Sequence, residues 1–139
     1  MKILALGLIV LFQFATWGQG EDETRKLDNF NKILAKSKFE VTLIKSNETK
    51  LLVHKLDETA DPAMLITEVK DGVLDISIKK KNFKDKAFHV TVYYKNLDAI
   101  EVRNDAAVIT EPEQIIEADS ISLLCKVGGK IKVSVKTDK

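Results

Sequence analysis

Val73-Leu74-Asp75-Ile76-Ser77-Ile78 and Phe88-His89-Val90-Thr91-Val92-Tyr93-Tyr94 alternate apolar and polar side chains with a period of two. Successive strand side chains point to opposite faces, so Leu74, Ile76 and Ile78 share one face, as do Phe88, Val90, Val92 and Tyr94. One row belongs on a core and the other in water, which makes the chain an all-β protein. The Asp71-Gly72 pair just before the first stretch is the strongest hairpin signal, because both central positions of a type I′ turn need positive φ. It joins a strand over residues 66–69 to the one over 73–78. Phe39, Val41 and Leu43 mark a further strand, and residues 51–56 another after a turn at Ser46-Asn47-Glu48. Leu27, Phe30 and Leu34 fit a helical face as well as a strand, so that segment stays open between the two. Asp61 and Pro62 are expected to cap one short helical turn through Met64 and Leu65.

The second half has a different rhythm. Leu97-Asp98-Ala99-Ile100-Glu101-Val102 recurs in outline as Ala118-Asp119-Ser120-Ile121-Ser122-Leu123, at an offset of 21 residues. Each block leads through small residues, Ala106-Ala107 or Gly128-Gly129, into a short strand, at 108–109 or 131–135. A period of about 20 residues is what a β-solenoid coil produces, since each coil buries its apolar row by stacking on the next. Chance recurrence in a meandering sheet is the competing reading.

Residues 1–20 read as a secretory signal peptide: Lys2 precedes an apolar run at 3–15 broken only by Gln13, and Thr16, Gly18 and Gly20 follow. The run is short for a bilayer span, which needs about 20 apolar residues, so no stable span is expected after cleavage. An uncleaved anchor helix is the alternative. The charged stretch 21–28 lacks a core pattern and reads as a flexible leader, and 29–139 as a single domain. Removing Lys2 with the signal leaves 21 Asp and Glu balanced by as many Lys and Arg. A formally neutral chain is not a nucleic-acid binder, whose affinity comes largely from neutralised phosphates. Cys125 has no partner in the chain, and the phase Ile121, Leu123, Cys125, Val127 places it inward as a small hydrophobe.

Motifs that carry chemistry are nearly missing: there is no glycine-framed serine, no His-Glu-x-x-His and no Cys-x-x-Cys. No catalytic, cofactor or metal residue is assigned. His54 and His89 lie on different strands, and a metal site made of both needs further ligands that the sequence does not point to. Glu111 and Glu113 could serve glycoside hydrolysis only if held across a cleft, and Asp57, Glu58 and Asp61 lack the ordered spacing of a calcium loop. Lys79, Lys80, Lys81, Lys84 and Lys86 crowd one connection around Phe83, and these six residues are the candidate contact for an anionic glycan or phosphate. Lysines that discourage strand pairing are the plainer account of them.

Phe30-Asn31-Lys32-Ile33, Phe39-Glu40-Val41-Thr42-Leu43, Thr67-Glu68-Val69-Lys70-Asp71-Gly72-Val73-Leu74-Asp75-Ile76, Val90-Thr91-Val92-Tyr93-Tyr94 and Leu97-Asp98-Ala99-Ile100-Glu101-Val102 together resemble the head GIN domain family of exported bacterial auto-transporter adhesins. The resemblance covers nearly the whole stretch after the signal, and its motifs specify strands and turns. It implies an irregular right-handed single-stranded β-helix, here with a hairpin-rich N-terminal half, and no agreed catalytic residues. Two departures stand out: Asp105-Ala106-Ala107 lacks the family's glycine-containing turn, and the sequence stops at Lys139 where relatives continue into further coils. The strand at 131–135 is then an open edge. The resulting expectation is a non-catalytic, adhesin-like binding or structural module of the cell envelope. It is exported to the periplasm, the outer-membrane surface or the medium. It has no cofactor, and its partner is an envelope glycan or surface protein. An envelope carbohydrate-active enzyme using Glu111 and Glu113, or a scaffold self-associating through the C-terminal edge strand, are the alternatives.

Overall fold

The computed structural model of the protein describes residues 22–79 and 87–137, and these are all-β apart from one 3₁₀ turn at Pro62–Met64. A six-stranded sheet contains, in spatial order, β1 (Glu23–Lys26), β4 (Lys50–Lys55), β7 (Phe88–Tyr94), β3 (Glu40–Lys45), β9 (Ala107–Thr110) and β12 (Lys130–Lys132). A five-stranded sheet runs β11 (Ser122–Cys125), β8 (Ala99–Val102), β2 (Lys32–Ala35), β6 (Val73–Ile78) and β5 (Leu65–Lys70), and β10 (Ile116–Ala118) pairs with β13 (Val135–Thr137). The inner rows of both large sheets meet in one apolar core.

Like stacks on like within that core. Ile33 lies in register between Leu74 and Ile100, and Ala35 between Ile76 and Val102, through parallel ladders of β2 with β6 and β8. On the other sheet Val41 lies between Val90 and Val108, through parallel ladders of β3 with β7 and β9. The first level in sequence, β2 and β3, therefore sits inside the stack, clasped by β6 and β7 on one side and by β8 and β9 on the other. Burying each row on both sides removes it from water entirely, which is why Ile33, Val41, Leu74 and Val90 have no exposed surface.

Antiparallel strands close one end. The hairpin Asp71-Gly72 has φ of 54° and 80°, as its sequence requires, and folds β5 onto β6. On the other sheet β4 pairs with β7, setting Leu51 against Val92 and Val53 against Val90. Residues 23–26, expected in a flexible leader, form β1 against β4 instead. Arg25 explains the order: its Nη1 donates to the Leu65 carbonyl at 2.7 Å and to Thr67 Oγ1 at 3.1 Å, and its Nη2 to the Pro62 carbonyl at 2.8 Å. One guanidinium thus ties the edge of one sheet to the edge of the other. The segment open between helix and strand becomes β2, because Ile33 and Ala35 stack between two strands, and stacking overrides local propensity.

At the other end the repeat is real but shifted. β8 pairs in parallel with β11 as Ile100 to Leu123 and Val102 to Cys125, and β9 with β12 as Ala107 to Lys130, an offset of 23 residues, not the 21 read from residue types. The glycine-free turn Asn104-Asp105 has φ of 54° and 68° and corresponds to Val127-Gly128, at 46° and 79°. Asn and Asp tolerate this region better than most residues, so the turn forms without glycine. The expected strand at 131–135 divides into β12 and β13.

Cys125 is exposed, contrary to the inward phase. Its strand is the last in its sheet among the described residues, so the row is covered on one side only, and Leu123 in the same row is 46% exposed.

A single carboxylate braces the outer surface of the five-stranded sheet. Glu101 is only 6% exposed, covered by cationic side chains and not by core. It accepts from Arg103 Nε at 2.7 Å, while Lys32 Nζ and Lys126 Nζ each lie at 3.7 Å. The Arg103 hydrogen bond holds its carboxyl below the usual range, against the opposing effect of desolvation and with help from the charges of Arg103, Lys126 and Lys32.

Two outcomes are expected. Ile33→Ala costs about 2–5 kcal/mol in denaturant unfolding, whereas Leu123→Ala, removing a half-exposed side chain, costs less than about 1 kcal/mol by the same transfer arithmetic. Glu101→Gln costs about 1.5–3 kcal/mol at neutral pH, since it weakens a charge-assisted hydrogen bond from Arg103 at a covered site. A folded-state value below the ordinary one means stability that is present above the ordinary carboxylate range and lost as the pH falls through the folded value. The gap between the native chain and Glu101→Gln therefore closes on acidification, as parallel urea titrations across pH will show.

Candidate functional site

Alternation fixes what the six-stranded sheet shows to solvent. With Val41, Leu51, Val53, Val90 and Val92 committed inward, their neighbours Glu40, Leu52, His54, His89 and Thr91 face out. Register then aligns them across strands. His54 lies opposite His89 and His89 opposite Glu40, and Asp22 joins the row beyond His54. The next row is Thr24, Leu52, Thr91, Thr42 and Ile109, and a third holds Lys50, Tyr93 and Ile44.

Each histidine is held by an acid. His54 Nδ1 lies 2.7 Å from Asp22 Oδ1, and His89 Nδ1 lies 3.3 Å from Glu40 Oε1. His89 Nε2 lies 3.0 Å from Thr42 Oγ1. Along the third row the Lys50 ammonium sits 4.9 Å from the centre of the Tyr93 ring, a cation–π contact at a half-buried site. Tyr94 faces inward, and burial, followed by the nearby Glu117 charge, raises its phenol above the ordinary value. Beside Glu40 the surface dips into a shallow open depression whose lining includes Ile109, Glu111, Pro112 and Lys132.

The residues singled out in the sequence are dispersed. Of the lysine-rich connection only Lys79 is described: its side chain is exposed and its amide donates to the Met64 carbonyl at 2.8 Å. Lys80, Lys81, Phe83, Lys84 and Lys86 lie outside the described residues. Glu111 and Glu113 are exposed, in a turn where the Gln114 amide donates to the Glu111 carbonyl at 2.9 Å. Asp57 accepts from the amide and hydroxyl of Thr59, and Asp61 caps the 3₁₀ turn through the Ala63 amide, as expected from its Pro62 neighbour. Those two acids have local structural tasks. The Asp22–His54–His89–Glu40 row was not found from sequence, because its members come from four segments that only sheet register brings together. Among the described residues, no three His, Cys, Asp or Glu side chains are already arranged to hold a metal ion.

Among the described residues no helix is long and apolar enough to cross a membrane. No curated protein matches the chain. Solved structures do. A putative adhesin from Bacteroides fragilis NCTC 9343 is 22% identical, with a TM-score of 0.70 over 84% of this chain and 55% of its own. A putative adhesin from Parabacteroides distasonis ATCC 8503 is 18% identical, with a TM-score of 0.62 over 81% of this chain and 56% of its own. A putative lipid binding protein from the same strain is 20% identical, with a TM-score of 0.56 over 87% of this chain and 61% of its own. The chain thus spans little more than half the length of these structures, and at such identity the likeness establishes a shared fold. The family described as "Putative auto-transporter adhesin, head GIN domain" matches residues 29–139, and the chain belongs to that family.

Proposed function

We propose that the protein is an exported cell-envelope module, adhesin-like, that binds or scaffolds and does not catalyse. Membership of the head GIN domain family over residues 29–139 is the observation that carries this reading. The apolar run at 3–15 behind Lys2 supports export. The finer architecture we read as an irregular right-handed single-stranded β-helix with an antiparallel cap. Parallel in-register ladders at an offset of 23 residues support it, since they are the pairing a stacked coil makes.

Binding is favoured over hydrolysis by the site. Glycoside hydrolysis sets two carboxyls on opposite sides of a cleft, and Glu111 and Glu113 share one exposed turn. An outer sheet face that carries the partly exposed Thr91 and Tyr93 along one strand, beside the shallow depression at Glu40, suits an extended polysaccharide better than a small substrate.

Limited proteolysis of intact cells tests the reading. Loss of the chain is the expected result. Protection that ends only when the outer membrane is ruptured assigns a periplasmic module and overturns adhesion. Binding of the purified chain to immobilised envelope polysaccharide is expected to exceed binding to phospholipid vesicles; the reverse order replaces the glycan with a lipid.

A further inference from the structure

The five-stranded sheet has a polar cleft at the corner where its strands begin. Asn31 precedes β2, Gly72 precedes β6 and Asp98 precedes β8, so the parallel ladders bring the three to one level. The backbone there is satisfied within the stack. The Gly72 carbonyl accepts from the Asn31 amide at 2.9 Å and the Lys32 amide at 3.2 Å, and the Asn31 carbonyl accepts from the Asp98 amide at 2.7 Å. Asn31 Nδ2 donates to Asp98 Oδ2 at 2.9 Å, which fixes the carboxamide. Its Oδ1 lies toward Gly72, where an added Cβ would stand 3.0 Å from it. Without that Cβ the space beside the two turns stays open as a cleft of about 380 Å³, within the size range of small-molecule sites.

The side chains at its rim have nothing in the protein to bond. Asn29, Asp71, Lys95 and Asn96 are exposed there, and among the described residues their side-chain polar atoms have no hydrogen-bond or ionic partner. A solitary exposed polar side chain needs only water. Here turns far apart in sequence set all of them around one cleft, beside the fixed carboxamide of Asn31. Phe30 closes the floor and, at 5% exposure, offers no open ring face for stacking.

That rim selects its ligand by charge and by hydrogen bonding. Asp71 and Lys95 balance, which disfavours an anion and a cation alike. Calcium would need six to eight oxygens around it, with the Lys95 ammonium opposing it. An apolar ligand would strip water from amides that then find no partner. Each carboxamide offers both a carbonyl acceptor and an NH₂ donor, and a sugar hydroxyl likewise donates and accepts. We propose that the corner cleft holds one neutral pyranose residue of a glycan, with the carboxamides of Asn29, Asn31 and Asn96 and the Asp71 carboxylate bonding its hydroxyls. The subsite rests on the glycan reading for its ligand class and goes beyond it in place, at the strand ends and not on the sheet face.

The test is NMR of the purified chain titrated separately with glucose, galactose, mannose and N-acetylglucosamine, each to about 100 mM, a hundredfold above a millimolar dissociation constant. At least one sugar is expected to shift the side-chain NH₂ signals of Asn29, Asn31 and Asn96 and the Gly72 amide together and saturably. The Asn29→Ala/Asn96→Ala double variant should bind that sugar about tenfold or more weakly, the cost of two hydrogen bonds. Lys130→Ala, on β12 in the other sheet, should leave the affinity unchanged. Both variants should unfold with the native chain, because the side chains removed are exposed. No shift at the corner with any of the four sugars overturns the proposal, and so does an affinity that the double variant keeps. Native chain that binds immobilised envelope polysaccharide without corner shifts overturns the subsite alone. Corner shifts without polysaccharide binding uphold the subsite and overturn the envelope-glycan reading.

Discussion

Every other feature of the molecule depends on in-register stacking of short apolar rows. A strand of four to seven residues, such as β2 or β7, presents only two to four inward side chains and cannot build a core alone. Placed between two others in register, it loses its solvent on both sides, and each buried aliphatic side chain contributes roughly 1.5–3 kcal/mol from removal of apolar surface. The gradient along the stack follows. Ile33, Val41, Leu74 and Ile100 are sealed, while Leu123, in register with Ile100 and with a neighbour on one side only, remains nearly half exposed.

Stacking also decides where polar groups are useful. Once the inner rows are fixed, alternation sends every second residue to an outer face, and register lines those residues up across strands distant in sequence. Glu101 becomes the meeting point of Lys32, Arg103 and Lys126 in this way, and His54 becomes the neighbour of His89. Arg25 is the exception that closes the molecule. It points past the sheet edge and donates to the carbonyls of Pro62 and Leu65 at the edge of the other sheet.

Much of this was legible in the sequence. Period-two alternation located β6 and β7, Asp71-Gly72 located the hairpin, and Asp61-Pro62 located the 3₁₀ turn, because each signal is local. Failures arose where the deciding partner is remote. The repeat offset was misjudged because residue types were matched, Leu97 to Ala118, where register matches buried positions, Ile100 to Leu123. Cys125 was assigned inward because its phase is right, but phase does not say whether another strand lies above. The strand at 23–26 is charged and short, and only pairing with β4 and the reach of Arg25 make it one. The histidine row needed strands β1, β4, β7 and β3 to be ordered before it existed at all.

The central claim is the interleaved order, with β2 between β6 and β8. Disulfide trapping in a Cys125→Ser background tests it most directly. Adjacent strands lie about 4.8 Å apart, within the reach of a disulfide, and next-but-one strands at about twice that lie beyond it. Lys32 pairs in register with Val73 on one side and with Ala99 on the other. Under mild oxidation Lys32→Cys/Val73→Cys and Lys32→Cys/Ala99→Cys should both close, and Val73→Cys/Ala99→Cys should not. Closure of the 73–99 pair, or failure of either 32-containing pair, contradicts the account.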